Sequence, residues 1–570
     1  MVNKSSIFQK LLFLVFPFGI TFIIFPNFAI EQNPGTFTYI LNEYLFFSEL
    51  IFLLITFAFF IIIYFFKSSK IINLLTFFFL FLGFYFLIRD FFLPVHSDWT
   101  HGFGLRDIVV AKDKIIKDLI LIVALSLITA TIYFKGHDNL KKFIQYSILG
   151  ILVFHLVLFN YNLYKNQLFK QQYTKVSEKN EIKSNNKPNI YHLVFDSYGN
   201  NFWETLDVIN KHDKFKGFVH FPNTFANSEY TKLSVPSFLS STRPMNLNFK
   251  MFKNDEIYDD EKNLFNILKS NGYKIHQYGW KKMYQSADNY YSAFNFYPSD
   301  HQLRNLISLI TFKITPHFSH KTIIEKNFMF KESRYEKPLP GFLKRIGQKD
   351  NNFLTYGAYA RAIVGIELMQ KAIDEEKNRS DFGNYVFMHT LVPHIPYNVD
   401  RSGQITKVET DYYEQSAGTT NIISHYLDVL RELGKYENSI IILQGDHGPV
   451  RYKTENFAKY KYKQKLPDEF FKDPMTMFVV KESNSKKKIY QDKRMTQLID
   501  ITPTILELAG IENKFKFDGT SVFKSPTEVD LATYKKPRKD TSDELFSLYK
   551  LVNDKDWVKV GEVDKNSEKK

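Results

Sequence analysis

Five apolar stretches fill most of the first third of this 570-residue chain, and each has about the 20 residues that a helix needs to cross a bilayer. They cover approximately residues 10–30, 46–66, 71–93, 115–134 and 143–163. Core helices of a soluble protein are the alternative, but the length of these runs favours membrane spans. No small-residue cleavage site follows the first stretch, so we interpret it as a span and not as a signal peptide. The sequence predicts a five-helix transmembrane domain over residues 1–163.

The lysines of the connecting loops predict the orientation of these spans, because positively charged short loops stay in the cytoplasm. Three loops are lysine-rich, and they carry Lys4, Lys10, Lys67, Lys70, Lys135, Lys141 and Lys142. The loop at 31–45 has no lysine or arginine, whereas the loop at 94–114 has three basic and three acidic residues and is a partial exception. We therefore expect a multi-pass protein of the inner (plasma) membrane, with everything after about residue 164 outside the cytoplasm.

Composition narrows the classes of partner. The chain has 74 Lys and Arg against 60 Asp and Glu, a basic balance that suits anionic headgroups of the lipid bilayer or an anionic substrate. The lysines are dispersed and the soluble part is predicted to face away from the cytoplasm, so no nucleic acid partner is expected. There is no cysteine, which excludes disulfides and also a formylglycine made from cysteine.

The pattern of apolar and polar residues changes after a polar juxtamembrane linker at 164–188. Short apolar runs then alternate with amphipathic helical patterns, which predicts an α/β catalytic domain over 189–530 with a mostly parallel or mixed central sheet. The predicted strands are 190–195, 217–222, 273–278, 385–388 and 439–443, and the predicted helices are 420–433 and 495–508. The basic segment 301–349 is expected either to cover the site or to touch the membrane, and 531–570 to form a solvated, charged tail.

Residues that suit a metal site follow two of the predicted strands. Asp196 closes the strand at 190–195, while Asp446 and His447 close the strand at 439–443. Taken singly, each has a structural alternative, such as a capping aspartate beside an ordinary histidine. Because strand ends of an α/β sheet collect at one edge, these oxygen and nitrogen ligands favour one divalent metal ion, zinc or manganese.

Hydroxyl and imidazole groups complete the candidate site. Thr231 precedes Ser234-Val-Pro-Ser237, a pattern typical of a helix start. A hydroxyl at a helix N-terminus lies near N–H groups that hold phosphoryl oxygens, and a bound metal would make it nucleophilic. Simple N-capping by Thr231 and Ser234 is the alternative. His389 and His394 are placed to bind phosphate oxygens or to protonate a leaving group.

Together these segments resemble the alkaline phosphatase and sulfatase superfamily, and within it the lipoteichoic acid synthases and lipid A phosphoethanolamine transferases, which also carry five spans. The resemblance covers roughly 187–523, including Asp500-Ile-Thr-Pro-Thr and Asp518-Gly519. It implies that Asp196, Thr231, Asp446 and His447 hold the metal, with Thr231 as the catalytic nucleophile. It also implies substrate-binding roles for His389 and His394, to which we add Ser234, expected to cap the helix as well.

Departures from the relatives narrow the choice of chemistry. A sulfatase needs arginine two residues after the proline of its Cys/Ser-x-Pro-x-Arg motif, and Phe238 stands there, so sulfate ester hydrolysis is disfavoured. Gln404 and Gln415 occupy positions where a second metal would need histidine, so one metal is expected. The further histidine that phosphoethanolamine transferases carry beyond Asp-His-Gly is absent from 449–475.

The sequence therefore predicts a membrane-bound enzyme that transfers a phospho-linked group, phosphoglycerol or phosphoethanolamine, through a phospho-threonine. The donor would be a membrane phospholipid and the acceptor an envelope glycan or lipid. Two alternatives stay open: a phosphoesterase or sulfuric ester hydrolase using the same site, and a non-catalytic envelope scaffold.

Overall fold

The computed structural model describes most of the chain. The described residues are 4–32, 41–66, 70–92, 112–174, 187–247, 258, 260–279, 283–284, 286–292, 306–307, 310–311, 313–316, 319, 339–349, 354, 360–449, 473–512, 514–524, 530–535, 545–552 and 556–564. They divide into two compact units, the first formed by residues 1–178 and 297–333 and the second by residues 179–296 and 334–570.

The first unit is built from long apolar helices. These are α1 (Lys4–Gly19), α2 (Phe25–Gln32), α3 (Leu41–Phe66), α4 (Lys70–Phe92), α5 (Lys112–Ala130) and α6 (Asp138–Thr174), with a π-helical turn at Ile20–Ile24 that makes α1 and α2 continuous. Five stretches are long and apolar enough to span a bilayer: Ile7–Phe28, Phe47–Phe66, Lys70–Arg89, Ile115–Lys135 and Asp138–Leu158. The five predicted spans are thus confirmed as apolar helices, and the chain is a membrane protein.

Burial differs between these helices in the way that a membrane environment requires. Phe16, Ile20 and Ile24 of the first span are fully buried at the centre of the helix cluster. By contrast, Phe65 and Ile71 of the neighbouring helices are 71% and 69% exposed. An apolar surface of this extent would be unfavourable in water, whereas lipid tails cover it without cost.

The second unit contains a mixed sheet of eight strands in the order β5-β4-β6-β1-β7-β8-β2-β9. The strands are β1 (Ile190–Phe195), β2 (Phe218–His220), β4 (Lys274–Gly279), β5 (Asn289–Ser292), β6 (Asn384–Thr390), β7 (Ile440–Gly445), β8 (Phe478–Lys481) and β9 (Tyr490–Gln491). Strand β8 runs antiparallel to β7 and β2, and the strands from β5 to β7 are parallel to one another. The predicted α/β fold with a central mixed sheet is confirmed.

Helices and short strands complete the second unit. The helices are α7 (Phe202–Ile209), α8 (Thr231–Ser240), α9 (Leu264–Ser270), α10 (Gly341–Ile346), α11 (Ala360–Glu376), α12 (Tyr412–Glu432) and α13 (Ile501–Leu508), and β3 (Asn223–Phe225) pairs with β10 (Met495–Gln497). Because 495–497 pairs as a strand, the helix predicted over 495–508 begins only at Ile501. The apolar cluster that supports the site joins α8 and α13 to the sheet through Val194, Phe238, Phe387, Ile442 and Ile505.

Two predicted boundaries differ from the structure. The segment 297–333, which the sequence analysis included in the catalytic domain, belongs to the first unit. Leu306 and Ile310 lie in the apolar cluster of the membrane helices, whereas α10 belongs to the second unit, so the segment predicted as one piece over 301–349 is divided between the two units. The second difference is the charged tail, which contains an antiparallel sheet of β11 (Asp530–Lys535), β12 (Leu545–Val552) and β13 (Asp556–Asp564). Apolar and aromatic residues at 545–552 favour a strand despite the surrounding charge.

Candidate metal centre and nucleophile

The site lies where three parallel strands end side by side. Strand β1 pairs with β6 on one side and β7 on the other, so that Phe195 is level with both Thr390 and Gly445. The next residues of β1 and β7 are Asp196 and Asp446, and both carboxylates are buried. The carboxyl edge of a parallel sheet thereby holds two acidic groups in neighbouring positions.

The turn after β1 binds the two aspartates together. Ser197 has φ of 65°, a left-handed conformation that a residue with a side chain rarely adopts. In this conformation its N–H donates to Asp446 Oδ1 at 3.0 Å, and its hydroxyl donates to Asp196 Oδ1 at 3.0 Å. Two hydrogen bonds from one residue therefore hold both carboxylates.

Glycines on β7 and beyond allow the backbone to pack closely around Asp446. A Cβ at Gly445 would lie 2.2 Å from the carbonyl oxygen of Tyr198, and one at Gly448 would lie 2.6 Å from those of Asp473 and Met475. Neither glycine has a positive φ. From the sequence we expect Gly445 and Gly448 to let the backbone bend beside the two ligands, and in the structure they allow close approach of neighbouring chain segments.

His447 presents one nitrogen to the aspartates. Its Nδ1 lies 2.8 Å from the carbonyl oxygen of Gly448, which can only accept, so Nδ1 carries the proton and Nε2 has a lone pair. This Nε2 is 3.5 Å from Asp196 Oδ1 and 3.4 Å from Asp446 Oδ2. Three electron-rich atoms thus face one another at the sheet edge.

Thr231 supplies the hydroxyl of the site. It is the first residue of α8, and its hydroxyl donates to Asp446 Oδ2 at 2.6 Å while lying 3.2 Å from His447 Nε2. The helix N-terminus adds positive potential at this point. The four residues predicted to hold a metal, Asp196, Thr231, Asp446 and His447, are therefore brought together in the structure.

The arrangement fits a cation. Ligands held about 2.0–2.1 Å from a tetrahedral metal ion lie roughly 3.4 Å from one another, close to the separations of 3.4 and 3.5 Å measured here. Without a positive charge, two buried carboxylates and a lone pair would repel. Oxygen and nitrogen donors of this kind are typical ligands of a divalent metal ion.

His389 lies at the same edge of the sheet. It is the second-to-last residue of β6 and pairs in register with Val194 of β1. One ligand atom each from Asp196, His389 and Asp446 lie within 4.8 Å of one another. The ring is 4% exposed, and its Nε2 has no hydrogen-bond partner among the described residues. A buried imidazole nitrogen of this kind needs a partner, and both a phosphate oxygen and a metal would provide one.

His394 lies on the loop after β6 and is not among the residues whose mutual distances define the metal group. Arg361, in the first turn of α11, donates to His394 Nδ1 at 2.5 Å and also to the carbonyl of Ile395. Nδ1 also lies 2.8 Å from the main-chain oxygen of Ile395, so Arg361 and the Ile395 carbonyl together hold the ring in place. The sequence analysis missed Arg361, because it lies in an ordinary amphipathic helix without a motif.

Ser234 differs from the role expected for it. Tyr230 occupies the N-cap of α8, so Ser234 is the fourth helical residue and does not cap the helix. Its hydroxyl is fully buried and donates to the main-chain oxygen of Asp446 at 2.5 Å. This contact leaves Ser234 as a brace between α8 and the end of β7.

Comparisons with known proteins indicate the family of the second unit. The family model described as Sulfatase matches residues 188–511. A lipoteichoic acid synthase of Staphylococcus aureus (strain USA300) is 30% identical over 158 residues, which cover 26% of this chain and 24% of that protein. The match therefore spans about a quarter of the length of the curated relative.

Solved structures that are similar to this chain include a lipoteichoic acid synthase from Listeria monocytogenes, 14% identical, with a TM-score of 0.39 over 66% of this chain and 86% of that chain. A protein in the alkaline phosphatase superfamily from Vibrio parahaemolyticus is 12% identical, with a TM-score of 0.39 over 67% of this chain and 84% of that chain.

Proposed function

Because this chain belongs to the sulfatase family, we propose that it is a membrane phosphotransferase that moves phosphoglycerol or phosphoethanolamine from a phospholipid to an envelope glycan or lipid. The observation that carries the proposal is the Thr231 hydroxyl, which lies at a helix N-terminus 2.6 Å from Asp446 Oδ2 and 3.2 Å from His447 Nε2. A nucleophile held beside an acceptor-rich cluster suits attack on a phosphodiester. The similarity to lipoteichoic acid synthase supports a lipid donor.

The residues have distinct roles in this proposal. Asp196, Thr231, Asp446 and His447 would hold one zinc or manganese ion. When bound, this ion would stabilise negative charge on the phosphoryl oxygens and lower the pKa of the Thr231 hydroxyl. His389 binds a phosphate oxygen through its buried Nε2. His394, whose ring Arg361 orients, is the candidate acid for the leaving group.

The chemistry is a double displacement. Thr231 Oγ1 forms a bond to the donor phosphorus, and the bond from phosphorus to the diacylglycerol oxygen breaks, so diacylglycerol leaves with a proton. The Thr231 proton already has an acceptor in Asp446 Oδ2. A hydroxyl of the acceptor then forms a bond to the phosphorus as the bond to Thr231 Oγ1 breaks; the acceptor's proton replaces the one that left with diacylglycerol, and Thr231 recovers its own proton from Asp446. With water as the second nucleophile the same site is a phosphoesterase.

Location completes the proposal. The lysine pattern of the loops predicts that residues after 164 lie outside the cytoplasm, where phospholipid headgroups and envelope glycans are both present. A reporter fused after Pro188 is expected to be active only outside the cytoplasm, and one fused at His137 only inside. The opposite pattern would contradict the five-span topology and the access to an external acceptor.

The test is lipid turnover by the purified full chain in vesicles of equal parts phosphatidylglycerol and phosphatidylethanolamine. We expect diacylglycerol release with Thr231→Ala inactive and Ser240→Ala active. Ser240 is a matched control, because it lies on the same helix and its hydroxyl donates to Pro236 O of that helix. Group transfer to an added glycan supports the transferase, and release of free headgroup phosphate alone favours the hydrolase. Absence of both would overturn the proposed function.

A further inference from the structure

Arg89 and Asp118 are fully buried within the membrane unit. Arg89, near the end of α4, places Nε 3.5 Å from Oδ1 of Asp118 in α5, and both side chains have no exposed surface. The hydroxyl of Tyr85 donates to the same carboxylate oxygen at 3.0 Å. Ionic groups in membrane helices are costly, and they are retained where they serve function or assembly. This pair joins α4 to α5.

Arg89 also reaches a third element. Its Nη1 donates to the carbonyl oxygen of Lys313 at 2.7 Å, although Lys313 lies 224 positions later in the chain. The Lys313 ammonium in turn lies 5.3 Å from the ring centre of Phe25. Lys313 belongs to the segment 297–333, which is inserted between β5 and α10 of the catalytic fold but forms part of the membrane unit. One guanidinium therefore contacts two parts of the chain that are remote in sequence.

Apolar packing accompanies the polar contact. Leu306, Ile310 and Ile314 recur every four residues, the spacing that places side chains on one face of a helix. Leu306 and Ile310 are buried in the cluster that contains Phe16 and Ile20 of the first span, and Ile314 packs against it. The described part of the segment thus docks by an apolar face, and Arg89 fixes its main chain.

We propose that the Arg89–Asp118 pair is a lock that fastens the 297–333 insertion to the membrane helices, and that Arg89 is thereby a positioning residue for the use of a lipid donor. The chain passes between the two units at 178/179, 296/297 and 333/334. Docking of the insertion adds two chain connections to the one made by the linker. A tethered site meets a membrane-bound donor at high effective concentration, whereas a soluble donor diffuses freely to the site. This inference rests on the proposed function.

The variants are chosen so that folding and docking are separable. Arg89→Leu/Asp118→Leu removes both charges together, so no unpaired charge stays buried, while the donor to Lys313 O is lost. Arg89→Lys keeps the charge but offers different donor geometry. Thr56→Val is the matched control, because the Thr56 hydroxyl donates to Phe52 O within its own helix.

Docking is measured directly by distances between spin labels. The chain has no cysteine, so cysteines placed at Ile307 and Ile116, which are 39% and 59% exposed, take labels at those two sites alone. We expect a narrow distance distribution in the parent protein and in Thr56→Val, and a broad one in Arg89→Leu/Asp118→Leu. A narrow distribution in the double variant would overturn the lock.

Activity is measured with two donors, the vesicles described above and soluble bis(p-nitrophenyl) phosphate. The double variant is expected to lose at least tenfold in diacylglycerol release and less than twofold in cleavage of the soluble diester, with Arg89→Lys between it and the parent. Equal losses on both donors, or no loss on vesicles, would contradict the positioning role. If the parent protein cleaves neither donor, the proposed function fails, and the distance measurement still decides whether Arg89 docks the insertion.

Discussion

The catalytic unit and the membrane unit both bury charged groups, but they compensate them differently. In the membrane unit, Arg89 and Asp118 neutralise each other, and Tyr85 donates to the carboxylate as well. At the sheet edge, Asp196, Asp446 and the Nε2 of His447 meet with lone pairs facing one another, and the hydroxyl of Thr231 donates to this group. The first cluster is balanced within the chain, whereas the second carries two carboxylates whose charge a bound cation would offset.

This difference in charge balance distinguishes a cluster that fixes the packing of helices from a cluster that is suited to catalysis. A balanced buried pair is costly to form, and its best-supported role is to fix one arrangement of packed elements. An unbalanced cluster persists only if the fold holds it in place, as the strained Ser197 does here, and such strain concentrates at functional sites. Burial alone does not distinguish the two clusters, but the sum of their charges does.

The largest expected effect is on the unbalanced cluster. Asp446→Asn removes one negative charge from the group facing His447 Nε2, so the bound metal should fall from about one equivalent to less than a tenth. Turnover of a phosphodiester should drop by more than about 100-fold, beyond the loss typical of outer-shell changes. Metal analysis and initial rates measure both quantities. Asp428→Asn, which removes a carboxylate paired with Lys214 and Arg431, is the control and should retain metal and activity.

Changes to the balanced cluster of Arg89 and Asp118 should alter the free energy of unfolding. Arg89→Ala leaves Asp118 buried and without its cationic partner, which is expected to cost about 3–5 kcal/mol, while Arg89→Leu/Asp118→Leu should cost less, because no unpaired charge stays buried and the contact with the insertion is lost in both. Arg345→Ala breaks an exposed pair with Glu432 and should cost about 0–1 kcal/mol. Unfolding in detergent micelles ranks the three. If the single and double variants at Arg89 were equally destabilised, the pair would not be the source of the effect.

A third test concerns His220 and His276, two buried histidines of the catalytic unit that are not part of the metal site. Burial lowers the pKa of His220 to about 3, and burial with Arg379 nearby lowers that of His276 to about 3. The unfolded chain therefore binds more protons between pH 6.5 and 3, so stability is full above about pH 6.5 and falls as the pH decreases. Each histidine contributes a slope of about 1.4 kcal/mol per pH unit. His220→Phe should flatten this acid limb, and an unchanged limb would show that His220 does not titrate there.

The smallest expected effect is at Ser234, which separates a brace from a nucleophile. Ser234→Ala removes one hydrogen bond to Asp446 O and should cost about 0.5–1.5 kcal/mol. Turnover should stay within about tenfold of the parent, because Thr231 is untouched. Complete loss of activity in a folded, metal-loaded Ser234→Ala protein would move the nucleophile to Ser234.

Much of the catalytic sheet follows from local sequence pattern. The apolar runs that predict β1, β6 and β7 are continuous because these strands are buried on both faces, and Asp196 and Asp446 mark their ends. The position of Thr231 near this edge was predicted from the resemblance to known motifs. No local feature of α8 indicates which residue its first residue contacts. The left-handed Ser197, which orients both carboxylates, has no local signal at all.

The remaining features depend on contacts between distant residues. Arg89 and Lys313 are 224 positions apart, so no periodicity within either segment indicates that the insertion joins the membrane unit. Arg361 contacts His394, which lies on the loop after β6. The sequence of the helix that carries Arg361 has an ordinary amphipathic pattern, so it does not indicate this contact. The strands at 530–564 were missed because charge was weighed above the short alternation that favours pairing.

The central claim, that Thr231 is the nucleophile of the metal centre, is tested most directly by mass spectrometry of protein quenched in acid after incubation with phospholipid and without acceptor. We expect the donor headgroup phosphate on Thr231 in the parent protein, and no adduct in Thr231→Ala or Asp446→Asn. A headgroup phosphate on Ser234 in a Thr231→Ala protein that still releases diacylglycerol would contradict the claim.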